Sequence, residues 1–152
     1  MANEKTTVTI EDAQLIFKNF SGIEGQFNAA GDREFSVILD AKNARLMEKD
    51  GWNIKYLKPR EEGDDPTPYL PVKVSYKNRP PTVIMMTSTA RTRLDEQSIE
   101  TLDWADIEKA DLIVTPYHWA VGAKTGVKAY LKSLYVTVRE DDLERKYNRG
   151  EE

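Results

Sequence analysis

Lys128, Tyr130 and Lys132 occupy every second position of a β-prone stretch, with Val127, Ala129 and Leu131 between them. Period-two alternation sends the two sets to opposite faces of a strand, so one face is basic and aromatic and the other apolar. On the preceding β-prone run Thr115, Tyr117 and Trp119 share a face. A hairpin turning at residues 122–125, which include Lys124, can lay that face beside Lys128 and Tyr130. Ammonium groups neutralise phosphates, and flat rings stack on bases that no complementary strand covers, each stacked base contributing about 1–3 kcal/mol. The chemistry in view is binding of single-stranded nucleic acid. Two further groups carry the same residue types: Trp52, Lys55, Tyr56, Lys58 and Arg60, then Lys73, Lys77, Arg79, Arg91 and Arg93. Lys55 and Tyr56 point to opposite faces of any strand, so one of them is a bystander.

Other chemistries find little support. The chain has no cysteine and one histidine, His118, which excludes disulfides and thiolate metal sites and removes most zinc chemistry. Glu61, Glu62, Asp64, Asp65, Asp141 and Asp142 are the acids a magnesium-dependent nuclease would call on. They sit in turn-rich sequence with no complementary set on rigid strands and read as solvated loop. No phosphate-binding glycine loop, nucleophile elbow or paired-histidine zinc motif occurs. The expectation is a non-catalytic chain without metal or cofactor. Trp104, spaced helically with Leu102 and Ile107, reads as core.

Charge is segregated. The net value of -4 disfavours a polyanionic partner only as an average. Residues 52–93 hold 8 basic and 4 acidic side chains and residues 112–138 hold 3 and 0, whereas residues 94–111 hold 1 and 7. Both basic blocks coincide with the most strand-like sequence.

The elements that must position these residues are short. Residues 15–20 and 33–39 read as a first hairpin around a glycine-punctuated loop, and Asp40 caps a helix over residues 41–49 that ends at Gly51, with Leu46 and Met47 as its apolar contacts. Residues 53–58 are extended, and residues 59–68 form a charged loop. Residues 69–77 alternate, with Leu70, Val72, Val74 and Tyr76 on a core face and Tyr69, Pro71 and Lys73 on a wet one. Pro71 marks this strand as an edge or as the start of a strand, and residues 82–88 return as its hairpin partner. Residues 96–110 carry helical spacing, and residues 112–120 and 126–138 form a last hairpin. In residues 126–138 the apolar phase slips after Ser133, from Val127, Ala129 and Leu131 to Leu134, Val136 and Val138. One face stays buried only if the strand bulges there. The fold class is mainly β: a small, partly open five-stranded barrel with an extra hairpin and one or two short helices. Residues 1–138 form one such domain and residues 139–152 a polar, flexible tail. No stretch is long and apolar enough for a membrane span or a secretory signal, so a cytoplasmic location is expected.

The stretches FKNFSG (17–22), DGWNIKYLKPR (50–60), LDWADIE (102–108) and GVKAYLKSLYVTV (126–138) resemble bacteriophage single-stranded DNA-binding proteins across most of the chain. The resemblance implies an OB-fold, sequence-tolerant binding of single-stranded DNA in phage replication or recombination, and the host cytoplasm as the setting. Replication or recombination proteins and a second copy of the chain are further candidate partners. It supplies no contact map, so the site residues rest on face and charge. The tail mixes both charges and closes in Gly150, Glu151 and Glu152 rather than in an acidic run with an apolar tip. Tyr147 could engage another subunit or fold back over the binding face. The competing reading is a phage structural or protein-interaction module whose basic residues only protect a sheet edge.

Overall fold

The computed structural model describes residues 7–23, 31–59, 61–77 and 79–139. Among the described residues nine strands, one α-helix and a 3₁₀ helix follow in order: β1 (Val8–Ile10), β2 (Gln14–Asn19), β3 (Arg33–Ile38), α1 (Ala41–Lys49), β4 (Lys55–Leu57), β5 (Thr67–Val74), β6 (Thr82–Met86), β7 (Arg91–Leu94), the 3₁₀ helix Ile99–Asp103, β8 (Ile107–Val121) and β9 (Lys124–Val138). All nine strands join one sheet with the path β1-β8-β9-β5-β3-β2; β4 pairs with β5, and β6 bridges β9 and β7. The mainly β, partly open barrel is thus present, and β4, β6 and β7 pair off its main path. The two ends of the path come together where the chain turns from β1 into β2. The Asp12 N–H donates to Asp111 Oδ1 at 2.8 Å, and the Ala13 N–H donates to the Ala110 carbonyl at 2.7 Å.

The core lies on one face of the strands. Phe35 and Val37 of β3, Leu70 and Val72 of β5, Leu112 and Val114 of β8 and Leu134 and Val136 of β9 are fully buried. Ala44 and Met47 of α1 and Ile99 and Leu102 of the 3₁₀ helix cover them. Burying side chains of this size stabilises by about 1.5–3 kcal/mol each. Helix α1 is capped as its sequence dictates, with Asp40 Oδ1 accepting from the Asn43 N–H at 2.7 Å. Its inward residues are Ala44 and Met47, one turn apart, and Leu46 is exposed, not an apolar contact.

The strand pattern of the last hairpin folds as its alternation predicts. β8 and β9 run antiparallel over fourteen residue pairs, and the register slips between Ile113↔Ser133 and Val114↔Leu131, leaving Lys132 as the extra residue. That bulge sits at the phase change of the sequence. It lets Leu131 and Leu134 both enter the core.

Three expectations are overturned. Residues 69–77 and 82–88 do not form a hairpin: β5 and β6 each pair in parallel with β9, and the antiparallel partner of β6 is β7. β5 is no edge, since it pairs with β3, β4 and β9; Pro71 is tolerated because it falls between the residues paired to β4 (67–69) and those paired to β9 (72–73). On that side no ladder asks it for a donor. The segment 96–110 is not one helix. Its only helical part is the 3₁₀ helix Ile99–Asp103, and β8 has begun by Ile107. Asp103 is the last residue of that turn. Its carboxylate accepts from the Phe20 N–H at 2.7 Å, the Ser21 N–H at 3.0 Å and the Ser21 hydroxyl, and so ties the end of β2 to the barrel. Lys18 Nζ reinforces this tie by donating to the Leu102 and Ala105 carbonyls at 2.9 and 3.2 Å.

Among the described residues no helix is long and apolar enough to cross a membrane. Except for Arg139, the tail expected from residue 139 lies outside the described residues.

Candidate nucleic-acid interface

The face of the sheet turned away from the core can be read off the register row by row. In one row Thr115 of β8 pairs with Tyr130 of β9, Tyr130 with Lys73 of β5, and Lys73 with Glu34 of β3. In the next row Tyr117 pairs with Lys128, and further along the sheet Pro71 pairs with Ser36 and Ser36 with Ile16. In a third row Trp119 pairs with Gly126, while Tyr69 pairs with Ile38 on one side and Lys55 on the other. Directly paired residues project to the same side. One continuous face therefore carries Lys55, Tyr69, Lys73, Tyr117, Trp119, Lys128 and Tyr130.

The rings on this face are ordered by one another. Tyr117 and Tyr130 meet edge to face with centroids 5.6 Å apart, and Tyr117 stays 54% exposed. The Trp119 indole lies over Gly126, where an added Cβ would approach Cζ2 to 2.7 Å, so only glycine leaves room for the ring. Its buried Nε1–H finds no partner among the described residues. At the other side of the face Phe17 of β2 meets Tyr69 edge to face at 5.5 Å.

Phe17 holds this position at a backbone cost. β2 loses register between Ile16 and Asn19, and Phe17 sits in the left-handed region at φ 51°. For a residue with a Cβ that conformation costs roughly 1–2 kcal/mol. The bulge turns the ring outward to 60% exposure.

The predicted site residues sort clearly. Lys128 is exposed, Tyr130 half-buried and Leu131 buried, so the faces of β9 are as the alternation reads them. Lys124 lies on the same side at the hairpin tip, opposite Val121, and Lys132 is exposed at the bulge. Lys73 is half-buried in the middle of the face, with Nζ 3.8 Å from Glu34 Oε1. Lys55 belongs to the face. Tyr56 is the bystander: its hydroxyl donates to Glu48 Oε2 of α1 at 3.0 Å, and that hydrogen bond holds its phenol pKa above the ordinary value. Arg93 pairs with Ile84 and Arg91 with Met86 on the extension of the face beyond the bulge. Lys58 and Lys77 are exposed in the segments after β4 and β5 and Arg79 in the following loop, away from the registered rows. Arg60 lies outside the described residues.

Two tryptophans exchange the places expected of them. Trp52 is 8% exposed, bridged to Val127 and packed into the core, so it presents no ring for stacking. Trp104, expected in the core, is 71% exposed at the end of the 3₁₀ helix, because a 3₁₀ turn repeats every three residues and sends Leu102 inward in its stead. The sequence reading also passed over Phe17, Tyr69 and Glu34 as members of the face. For Tyr69 the signal was present, since alternation put it on the wet side with Lys73; for Phe17 it was hidden by the bulge.

Away from this face, Tyr76 is half-buried under the Arg33 guanidinium, whose Cζ lies 5.7 Å from the ring centroid. Burial pushes the phenol up to about 12 against the lowering influence of Arg33. Among the described residues no three His, Asp or Glu side chains gather into a set that could hold a metal ion.

A family model described as a phage ssDNA-binding domain matches residues 2–151. Two solved structures share the fold. The single-stranded DNA-binding protein from bacteriophage Enc34 in complex with ssDNA superposes with a TM-score of 0.55 at 12% identity, covering 90% of this chain and 87% of the other. The same phage's protein in a separate structure gives a TM-score of 0.54 at 11% identity, over 90% of this chain and 82% of the other. No curated protein matches the chain by sequence.

Proposed function

The chain belongs to the phage ssDNA-binding domain family, and we propose that it takes up the strand on the outer face of β8, β9 and β5. The observation that carries this assignment is the registered cluster of Tyr117, Tyr130 and Trp119 with Lys128 and Lys73 on one face. Rings ordered against one another on the solvent side of the sheet offer stacking surfaces to unpaired bases of any identity. Lysines between them meet the phosphates that link those bases. Sequence preference is small, because every base has a π-face. The protein acts by covering the strand, without turnover. In phage replication or recombination that protects exposed DNA, and residues 1–138 suffice for it.

Titration with an oligothymidine, followed by tryptophan fluorescence at several salt concentrations, tests this reading. Binding weakens steeply with salt, and the Lys128→Ala, Lys132→Ala double variant lowers the slope of log K against log salt by about 1.4, at roughly 0.7 per phosphate contact on single strands. Absence of binding at low salt favours the structural or protein-interaction module. Shortening of the oligonucleotide on adding magnesium would replace the binding role with a nuclease.

Glu34 opposes the lysines of the same face. It competes with phosphate for Lys73, and a partly exposed pair of this kind is worth at most about 1 kcal/mol. Glu34→Gln therefore tightens oligothymidine binding a few-fold at low salt, with the gain shrinking as salt rises. Equal affinities of the two proteins at low salt would remove Glu34 from the site.

A further inference from the structure

The aromatic pair formed by Phe17 of β2 and Tyr69 of β5 stands on the same face as Tyr117 of β8 and Tyr130 of β9. β9 neighbours β5 directly, β3 lies between β5 and β2, and the five strands from β8 to β2 span roughly 19 Å at the usual interstrand spacing. A ring 60% exposed gains nothing from the core, and Phe17 reaches this position only through a left-handed backbone and a broken register. Such strain persists where the surroundings over-determine it, and it concentrates at ligand sites. The segment beyond it is firmly held, since Asp103 binds the backbone of Phe20 and Ser21. The strained ring is therefore a fixed feature of the fold.

We infer that Phe17 and Tyr69 form a second stacking station, so that single-stranded DNA crosses the strands from the β8–β9 hairpin to β2 instead of following the hairpin along its length. This rests on the outer face being the DNA-binding surface. The two stations receive bases at opposite ends of one bound segment, with Lys73, paired to Tyr130 and on the strand that carries Tyr69, beneath the connecting phosphates. A track of this width sets the length of the directly bound segment near the lower end of the roughly 4–16 nucleotides that one OB-fold occupies.

Two variants separate the ring from the backbone. Phe17→Ala and Phe17→Gly both remove the stacking surface, but only glycine adopts a positive φ without strain. Both weaken binding of a twelve-residue oligothymidine by roughly 5-fold or more, the loss of one stacked base. The glycine variant melts at the higher temperature of the two. The loss disappears with a two-residue oligothymidine, too short to reach both stations, whereas Tyr117→Ala weakens both ligands. If the wild-type protein binds the longer oligonucleotide and both Phe17 variants bind it equally well, the cross-strand track is wrong while the DNA-binding face stands. Affinity that follows melting temperature, glycine above alanine, would make Phe17 a structural residue and equally overturn the inference. No binding by the wild-type protein would instead refute the DNA-binding face itself.

Discussion

Replacing Tyr117 and Tyr130 together with alanine lowers oligothymidine affinity by roughly 30-fold or more, because two stacking surfaces worth about 1–3 kcal/mol each are removed. The effect persists at every salt concentration, unlike that of the lysines, since stacking releases no counterions. Tyr117 is more than half exposed and Tyr130 half-buried on the solvent side of β9. Their replacement leaves the rows of Val127, Ala129 and Leu131 beneath them intact, and melting temperature falls by only a few degrees. Phenylalanine at both positions retains affinity, because it keeps the stacking surface of each ring and removes only the hydroxyl. A large loss of melting temperature with the alanine pair, or affinity that survives it, would dismiss these rings as the stacking surface.

The largest loss of stability is expected at a residue that touches no ligand. Asp103→Ala removes three acceptor contacts at once and leaves the Phe20 and Ser21 N–H groups without a partner in a partly buried setting. Hydrogen bonds to a charged acceptor contribute about 1.5–3 kcal/mol, and the orphaned donors add their desolvation. A loss of about 3 kcal/mol corresponds to roughly 6–12 °C in melting temperature for a domain of this size. Thermal or urea unfolding measures it, and Asp103→Asn, which keeps one acceptor oxygen, falls between. A variant that melts within 2 °C of wild type, on the same scale of roughly 2–4 °C per kcal/mol, would show that water satisfies these donors.

Local pattern carried the reading where structure is local, and failed where distant segments meet. The alternation through 126–138 specified which side of β9 faces the core, and the phase change at Ser133 located the bulge, because every side chain reports its face through a period of two. The cap at Asp40 and the first hairpin were legible for the same reason. Pairing of β5 and β6 with β9 left no local mark. Parallel neighbours are joined by long connections, and adjacent β-prone runs around a turn read equally well as a hairpin. Trp52 and Trp104 show the limit for single residues. Burial of a ring depends on what packs over it, which the chain on either side does not encode. Phe17 left no mark as a member of the outer face, because a bulge inverts the face of whatever it contains.

β9 pairs with β8, β5 and β6, and it is the last of the described strands in the chain. During synthesis, at about 5–20 residues per second, β5 and β6 therefore emerge well before the strand that joins them exists. Until residue 138 has left the ribosome, the β3–β5 and β6–β7 pairs have no shared partner and the apolar faces of Val72 and Val83 remain uncovered. Closure of the barrel is a late, non-local event that makes folding slow relative to helical domains of similar length. A ribosome-bound chain lacking β9 is thus the species most exposed to aggregation, and the strand that carries Lys128 and Tyr130 is also the one that joins β5 and β6 to β8.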